Sequence, residues 1–182
     1  MRLLPASAAL LSLLAAVAPA AELPQFKDLF PAAAAPQSAG QPVSVRVKPG
    51  LAGELRVTPV IFLSRAGLNP GEGGSKSMCG VVISTPGKSL QGVVTVGTGT
   101  TEATPSCDAI LAIGALPPAR SERTQRIGLV HAVSSRNADN GRAAIVLQQG
   151  TGGNWIVDGN TSERLGNTLV QFTIAEMRRK LR

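Results

Sequence analysis

Residues 127–147 read IGLVHAVSSRNADNGRAAIVL, with two runs of mainly aliphatic residues on either side of a polar segment. The runs at 127–133 and 143–147 have the length of β-strands and a composition that favours extended backbone. Residues 134–141 between them are rich in Ser, Asn, Asp and Gly, which favour turns. This segment therefore predicts two antiparallel strands that are joined by a turn.

Similar apolar runs, separated by Gly, Pro and Asn, lie on both sides of this pair. Val43, Val45 and Val47 alternate with polar residues, as expected for a strand with one exposed face. Pro59 marks an edge or a bulge within another apolar segment. The further candidate strands are residues 55–57, 60–63, 80–83, 93–96, 109–113 and 154–157. Strands at this spacing predict a mainly antiparallel sheet, either closed or stacked.

The end of the chain carries the signals of a helix. Thr173 and Glu176 match a capping box, in which each side chain accepts a hydrogen bond from an otherwise unpaired backbone N–H. Ile174, Met177 and Leu181 follow at helical spacing and fall on one face. A second short helical turn is expected over residues 162–165, and both pieces are expected to cover one face of the sheet.

These patterns predict an α+β fold, a mainly antiparallel β-sheet arranged as a sandwich or a curved sheet, with a C-terminal helix packed on it. The alternative is a cone-like α+β fold whose sheet wraps around a cavity. Residues 43–182 are expected to form a single β-rich domain, because a chain of this length suits one core. The core is expected to be aliphatic, since the chain has no Tyr, one Trp and four Phe.

The N-terminus has the features of a secretory signal. Residues 3–17 form an apolar run, and residues 18–20 read APA, an A-x-A cleavage pattern. We expect residues 1–20 to be a signal peptide, with the mature chain starting near Ala21 in the periplasm or outside the cell. The run is too short, and too closely followed by charged residues, for a stable membrane span. No membrane span is expected in the mature chain.

Residues 21–42 are interpreted as an N-terminal leader and linker. Phe26 and Phe30 fall on one helical face of the leader, whereas residues 32–42 are rich in Ala, Pro, Gln, Ser and Gly. Two interpretations remain open. The leader docks its Phe pair on the domain, or it acts as a spacer that holds the domain away from a membrane or a partner.

Cys79 and Cys107 are the two cysteines of the chain. In an oxidising compartment a pair of this kind forms a structural disulfide. Both residues flank apolar strand segments, so we expect the disulfide to join two adjacent strand ends. Their spacing does not match C-x-x-C, and a thioredoxin-type redox role therefore has no support.

The positive charge of the chain is concentrated toward its C-terminal part. The net charge is +7, or about +6 without Arg2, and residues 108–182 carry ten Lys and Arg against six Asp and Glu. This excess favours association with anionic phospholipid head groups, cell-wall polymers or acidic proteins. The simpler interpretation is that the charge serves solubility. No nucleic-acid partner is expected, because nucleic-acid-binding motifs and aromatic stacking platforms are missing from the sequence.

A set of basic residues forms the candidate interaction surface. Arginine guanidinium groups bind carboxylates and phosphates through paired hydrogen bonds. The alternative is a solvated face, in which these cations pair locally with Glu122 and Glu176. The residues assigned to this surface are Arg120, Arg123, Arg126, Arg178, Arg179, Lys180 and Arg182.

The sequence offers little catalytic chemistry. His131 is the only histidine, and its strand context predicts a hydrogen-bonded or half-buried residue rather than a general base. No catalytic, cofactor-binding or metal-ligating residue is assigned, and no cofactor is expected. The leading hypothesis is an exported, non-enzymatic binding or interaction domain, such as an accessory or inhibitor protein. The alternatives are a small envelope hydrolase with an unfamiliar active site, and an envelope structural protein that associates with anionic polymers.

Overall fold

The computed structural model describes residues 26–31, 33–46, 54–64, 76–97, 105–119, 124–135 and 138–182. These ranges contain nine strands and three short helices. The strands are β1 (Ala33–Ala39), β2 (Val43–Arg46), β3 (Glu54–Ser64), β4 (Ser77–Ser84), β5 (Gln91–Val96), β6 (Ser106–Leu116), β7 (Arg126–Ser135), β8 (Ala138–Gln149) and β9 (Trp155–Val157). The helices are α1 (Phe26–Leu29), α2 (Gly159–Gly166) and α3 (Ile174–Lys180). The expected signal peptide, residues 1–20, lies outside the described residues.

The strands form two antiparallel sheets, and the predicted α+β, mainly antiparallel fold is confirmed. The first sheet has the order β1-β3-β4-β5. Strand β2 also pairs with β3, over residues 54–57, whereas β1 pairs with residues 60–64 of β3. The second sheet has the order β6-β7-β8-β9. The predicted strand pair of residues 127–147 forms β7 and β8, in which Leu129 lies opposite Ile145. The two apolar runs therefore build the centre of the second sheet, as predicted. The expected turn over residues 134–141 is wrong in its extent, because β7 continues to Ser135 and β8 already begins at Ala138.

The two sheets face one another across an aliphatic core. Val57 and Val81 of the first sheet pack in the same buried cluster as Leu129 and Leu147 of the second. Trp155 joins this cluster from β9 and is almost fully buried. Strand alternation explains the arrangement, because every second side chain of each strand points to the same face. Burial of these apolar side chains is the main stabilising contribution to the fold.

A disulfide connects the sheets near one end. Cys79 of β4 and Cys107 of β6 are bonded, with their Cα atoms 5.6 Å apart, and both residues are fully buried. The predicted pairing is therefore confirmed. As expected, it joins two neighbouring strand ends, since the Ser77 N–H at the start of β4 donates to Ser106 Oγ at the start of β6. The two strands belong to different sheets, which the sequence did not predict. The disulfide ties one sheet to the other instead of supporting a single sheet.

A side-chain amide connects the sheets at a second place. The Trp155 backbone N–H donates to Oε1 of Gln91, and Nε2 of Gln91 donates to the Trp155 carbonyl oxygen, each over 2.7 Å. Gln91 begins β5, and Trp155 begins β9. The amide group thus makes the two hydrogen bonds that a neighbouring strand would make to Trp155.

Residues 33–39 correct the interpretation of residues 32–42 as a linker. They form β1, which pairs with the second half of β3, from Ala33 opposite Ser64 to Ala39 opposite Val60. Pro36 is tolerated there because β1 is an edge strand. The composition of the segment resembles that of a linker, but the long strand β3 offers a free edge on which it pairs.

The N-terminal segment docks on the first sheet, as one of the two interpretations predicted. Phe26 and Phe30 are buried with Phe62, and the rings of Phe30 and Phe62 are 4.9 Å apart. A Cβ atom at Gly92 would lie 2.4 Å from the Leu29 carbonyl oxygen, so this close approach requires glycine. The Phe pair is therefore part of the folded domain.

The C-terminal helix begins as expected but lacks half of the predicted capping box. Oγ1 of Thr173 accepts a hydrogen bond from the Glu176 backbone N–H at 3.1 Å. The Glu176 side chain accepts from Arg179 instead, and the Thr173 N–H donates to the Gln171 carbonyl. The second helical piece is longer than the expected 162–165, because Asp158 caps α2 by accepting from the Thr161 N–H.

We predict that removing the disulfide lowers the free energy of unfolding by about 3 kcal/mol, because the unfolded chain regains loop entropy. The variant is Cys79→Ala with Cys107→Ala, measured by urea unfolding against the oxidised wild type. Both cysteines of the chain are joined in the disulfide, so alkylation of the denatured, unreduced wild type is expected to label no thiol. Two labelled thiols in protein recovered from the exported fraction would contradict the pairing.

We predict that Gln91→Ala lowers the free energy of unfolding by about 2 kcal/mol, since the backbone N–H and C=O of Trp155 lose their partners. The matched control is Gln171→Ala at an exposed position, for which a change within about 0.5 kcal/mol is expected. Equal effects of the two substitutions would show that the Gln91 amide does not hold the sheets together.

Candidate functional site

Helices α2 and α3 cover the outer face of the second sheet. Val130 and Val146 point away from the inter-sheet core and pack with Leu165 of α2 and Met177 of α3. Ser162 of α2 adds a polar contact, since its Oγ accepts from the Val146 backbone N–H at 2.9 Å. The helices are therefore fixed to the sheet by one apolar cluster and by a hydrogen bond to β8.

A groove of about 600 Å³ opens where the two helices end. Its lining includes Arg164, Leu165 and Thr168, at the end of α2 and just beyond it. Residues 180–182, at the end of α3 and just beyond it, and residues 118–119 with Arg126 also line it. Three separate parts of the chain thus meet at one concave surface.

The lining of this groove is basic. Arg164 comes from the last turn of α2, Lys180 and Arg182 come from the end of α3, and Arg126 begins β7. Among the lining residues, no Asp or Glu accompanies these four cations. The apolar part of the lining includes Leu165 and Leu181, which extend the cluster under the helices. The groove therefore combines cations with an apolar base.

Arg126 and Asp158 form an ion pair beside the groove. Nη2 of Arg126 lies 3.2 Å from Oδ2 of Asp158, and both side chains are largely buried. Asp158 also caps α2 through Oδ1, which accepts from the Thr161 N–H at 3.0 Å. One carboxylate thus links the start of β7 to the start of α2. The charge of Arg126 is largely neutralised by this pair. The other cations in the lining are Arg164, Lys180 and Arg182.

Two helix C-termini meet at the groove. The last carbonyl groups of a helix carry a partial negative charge, which nearby cations offset. Arg164 in the last turn of α2 and Lys180 in the last turn of α3 occupy such positions. Part of their positive charge therefore stabilises the helices. The partial negative charge at a helix end is smaller than the charge of a Lys or Arg side chain, so the groove keeps an excess of positive charge.

The structure brings together some of the predicted surface residues and separates the others. Arg126, Lys180 and Arg182 line the groove. Arg178 does not belong to it, because its Nε donates to the Ala115 carbonyl of β6 at 2.8 Å and so attaches α3 to the sheet. Arg120 and Arg123 lie outside the described residues.

Arg179 follows the solvated-face alternative. Its Nε donates to Oε2 of Glu176 at 2.9 Å on the exposed side of α3. This hydrogen bond lowers the pKa of the Glu176 carboxyl and raises the pKa of the Arg179 guanidinium. The charge of Arg179 is therefore matched locally and contributes little to an external partner.

Sequence reasoning missed Arg164. It is the only basic residue between positions 143 and 177, so no run of charge marks it. The signal lay in the helix itself, because Asp158 is a good N-cap and Arg164 falls six residues later, in the last turn. Its place in the groove depends on how α2 and α3 pack, which the sequence alone does not define.

His131 lies in the core and is fully buried. Its Nε2 is 2.9 Å from Oγ1 of Thr95, and Oγ1 of Thr95 donates to the Cys79 carbonyl at 3.0 Å. A hydroxyl carries one proton, so the neutral ring donates from Nε2 to Thr95. Burial lowers the pKa of His131 from 6.5 to about 4, against a smaller opposite effect of the Ala143 backbone. The residue links the two sheets next to the disulfide.

This position bears on the hydrolase hypothesis. A general base must come within hydrogen-bond reach of the group that it deprotonates, but His131 is enclosed between the sheets. It is not among the residues that line the groove. A hydrolase that depends on His131 therefore has no support in this geometry.

Across the described ranges, His, Cys, Asp and Glu side chains do not gather in groups of three or more that could hold a metal ion. Among the helices described, none is both long and apolar enough to cross a lipid bilayer. Comparisons with protein-family models, with curated proteins and with solved structures give no match for this chain. Function must therefore be inferred from the geometry of the chain itself.

We predict that the free energy of unfolding falls by about 3 kcal/mol as the pH drops from 6.5 toward 4 through His131 alone. The folded state holds the ring neutral to a lower pH than the unfolded state, so the unfolded state binds more protons in this window. The chain has one histidine, and His131→Gln therefore removes the whole histidine contribution. Urea unfolding at a series of pH values should give a flatter profile for the variant, and parallel profiles would contradict the prediction.

Proposed function

We propose that this protein is an exported, non-enzymatic binding domain that holds an anionic partner in its basic groove. The secretory features of residues 1–20 and the buried disulfide support an oxidising, extracytoplasmic location. In such a location the partner is an anionic component of the envelope or an acidic protein. A role as an accessory or inhibitor protein fits a domain of this kind.

The observation that carries the proposal is the convergence of cations from two helices on one concave surface. Arg164 from the end of α2, and Lys180 and Arg182 from the end of the chain, line the same groove and can contact one bound anion. Arginine adds the paired donors that fit a carboxylate or a phosphate. An arrangement that served solubility alone would not require cations from separate parts of the chain to line one concave surface.

An envelope structural protein that associates with anionic polymers is the second candidate. It uses the same cations, but it would bind through its total charge rather than through one surface. Both forms of binding weaken in salt, because ions screen exposed charges. The two candidates therefore differ in whether the position of the cations matters or only their number.

We predict that a groove variant loses association with an anionic polymer at low salt. The substitutions are Arg164→Gln, Lys180→Gln and Arg182→Gln, and the measurement is retention of the folded protein on an immobilised polyanion over a salt gradient. Elution should move to clearly lower salt, because the three cations that face the ligand are gone. Thermal unfolding is expected to change little, since exposed charges contribute about 0–1 kcal/mol each.

The control variant has the same net charge as the groove variant but leaves the groove residues unchanged. Its substitutions are at exposed arginines of β2, β3 and β8, namely Arg46→Gln, Arg56→Gln and Arg142→Gln. It should elute close to the wild type. Equal losses in the two variants would favour binding through total charge and would overturn the groove as the binding site.

We predict that the protein recovered from the exported fraction begins within a residue or two of Ala21, because Ala18 and Ala20 fit the subsites of a signal peptidase. N-terminal sequencing of the protein from cells is the measurement. Retention of Met1 in that fraction would contradict the proposed export.

A further inference from the structure

Val170 is the most exposed large hydrophobic residue of the described chain. Its side chain is 89% exposed, and it lies in the connection between α2 and α3. The residues around it are anchored, because Leu169 is buried and Phe172 packs against the same cluster beneath the helices. The connection is thus held at two points, and Val170 projects from it into solvent.

Val170 lies close to the basic groove. Thr168 lines the groove, and two residues of chain span at most about 7 Å. Oγ1 of Thr168 also donates to the Arg164 carbonyl at 3.0 Å, which places the connection against the end of α2. An exposed aliphatic side chain and a cluster of cations therefore share one region of the surface.

We propose that this region docks on the surface of an anionic phospholipid bilayer, with Val170 inserted among the head groups and the groove cations at the phosphates. This inference rests on the proposed function and narrows the anionic partner to a lipid surface. The protein binds such a surface from one side, as a peripheral protein, and does not span it.

The combination of the exposed Val170 side chain and the groove cations favours a bilayer as the partner over a soluble polyanion or an acidic protein. A polyanion is bound by cations alone and gives no role to an exposed Val170. A bilayer presents negative charge at its surface and apolar chains just below it, and it binds cations and apolar side chains together. Lys180 and Arg182 have long side chains, which can reach head groups while their stems stay on apolar surface.

Binding of this kind is weak and reversible. Each Lys or Arg near an anionic membrane strengthens association by roughly fivefold, and the effect falls off within a Debye length. Three cations and one aliphatic residue therefore give an affinity that depends steeply on the content of anionic lipid and on salt. The same dependence makes each contribution measurable.

The experiment is sedimentation of the full mature protein with vesicles of phosphatidylcholine alone, or with added phosphatidylglycerol, at low and high salt. We expect binding to the anionic vesicles at low salt and little binding to phosphatidylcholine. The groove variant with Arg164→Gln, Lys180→Gln and Arg182→Gln should lower the partition coefficient by about 100-fold. Val170→Ser should lower it several-fold, because only the apolar contact is lost.

The control for Val170 is Ile156, which is 49% exposed on β9 and outside the groove lining. Ile156→Ser should leave the partition coefficient unchanged. A second readout uses Val170→Trp. The native Trp155 is buried in the core, so a shift to shorter emission wavelength on adding anionic vesicles reports insertion at position 170.

The outcomes separate this inference from the proposed function. Retention on a soluble polyanion through the three groove cations, without vesicle binding, would overturn the membrane inference and leave the proposed function standing. Equal vesicle binding by Val170→Ser and Ile156→Ser would show that the Val170 side chain does not insert, and the membrane inference would again be wrong. If the groove variant kept both its retention on the polyanion and its binding to anionic vesicles, both the proposed function and the membrane inference would be overturned.

Discussion

The structure depends on how its two sheets are kept together, because no strand of one pairs with a strand of the other in the described part of the chain. Apolar burial between the sheets supplies most of the attraction, but it is non-directional and does not by itself fix the direction in which one sheet lies on the other. Direction comes from two specific links, the Cys79–Cys107 disulfide and the Gln91 amide on the Trp155 backbone. His131 adds a third, since its hydrogen bond to Thr95 crosses from β7 to β5. These links fix one sheet against the other.

The position of the groove depends on the second sheet, because the helices that line the groove pack on that sheet. Helices α2 and α3 rest on the outer face of the second sheet, so their positions follow from the order of its strands. Asp158 connects the beginning of α2 to Arg126 on β7, and Arg178 connects α3 to β6. Two charged side chains that could have faced a partner are thus used to hold the helices. Arg164, Lys180 and Arg182 also line the groove and make it basic.

Much of the fold could be predicted from the sequence, because its signals are local. The strand alternation at Val43 and Val45, the aliphatic runs of β7 and β8 and the Thr173 cap each depend on neighbours in the chain. The disulfide could be predicted as well, since two cysteines allow one pairing. The role of that pairing could not, because membership of a sheet is decided by contacts between distant segments. The segment Ala33–Ala39 was misjudged for the same reason, as its partner β3 lies far along the chain.

The candidate site was predictable only in part. Clusters of charge in the sequence identify Lys180 and Arg182, but they also include Arg178 and Arg179, whose hydrogen bonds face the sheet and Glu176. Arg164 stands alone in the sequence and enters the groove through helix packing. A run of like charges therefore indicates where a basic surface lies, whereas the packing of the helices decides which members of the run line the groove.

Each sheet is built from a contiguous part of the chain, the first from residues 33–96 and the second from residues 106–157. On the proposed export route, a chain that emerges N-terminus first from a translocation channel would therefore assemble its first sheet before the second half has crossed. Cys79 would then wait as a lone thiol until Cys107 arrives. Within one molecule no wrong pairing exists, so shuffling of disulfides costs no time in maturation. The hazard would lie between molecules, where an oxidant of the compartment that accepts two electrons from two waiting Cys79 thiols would join them in a covalent dimer.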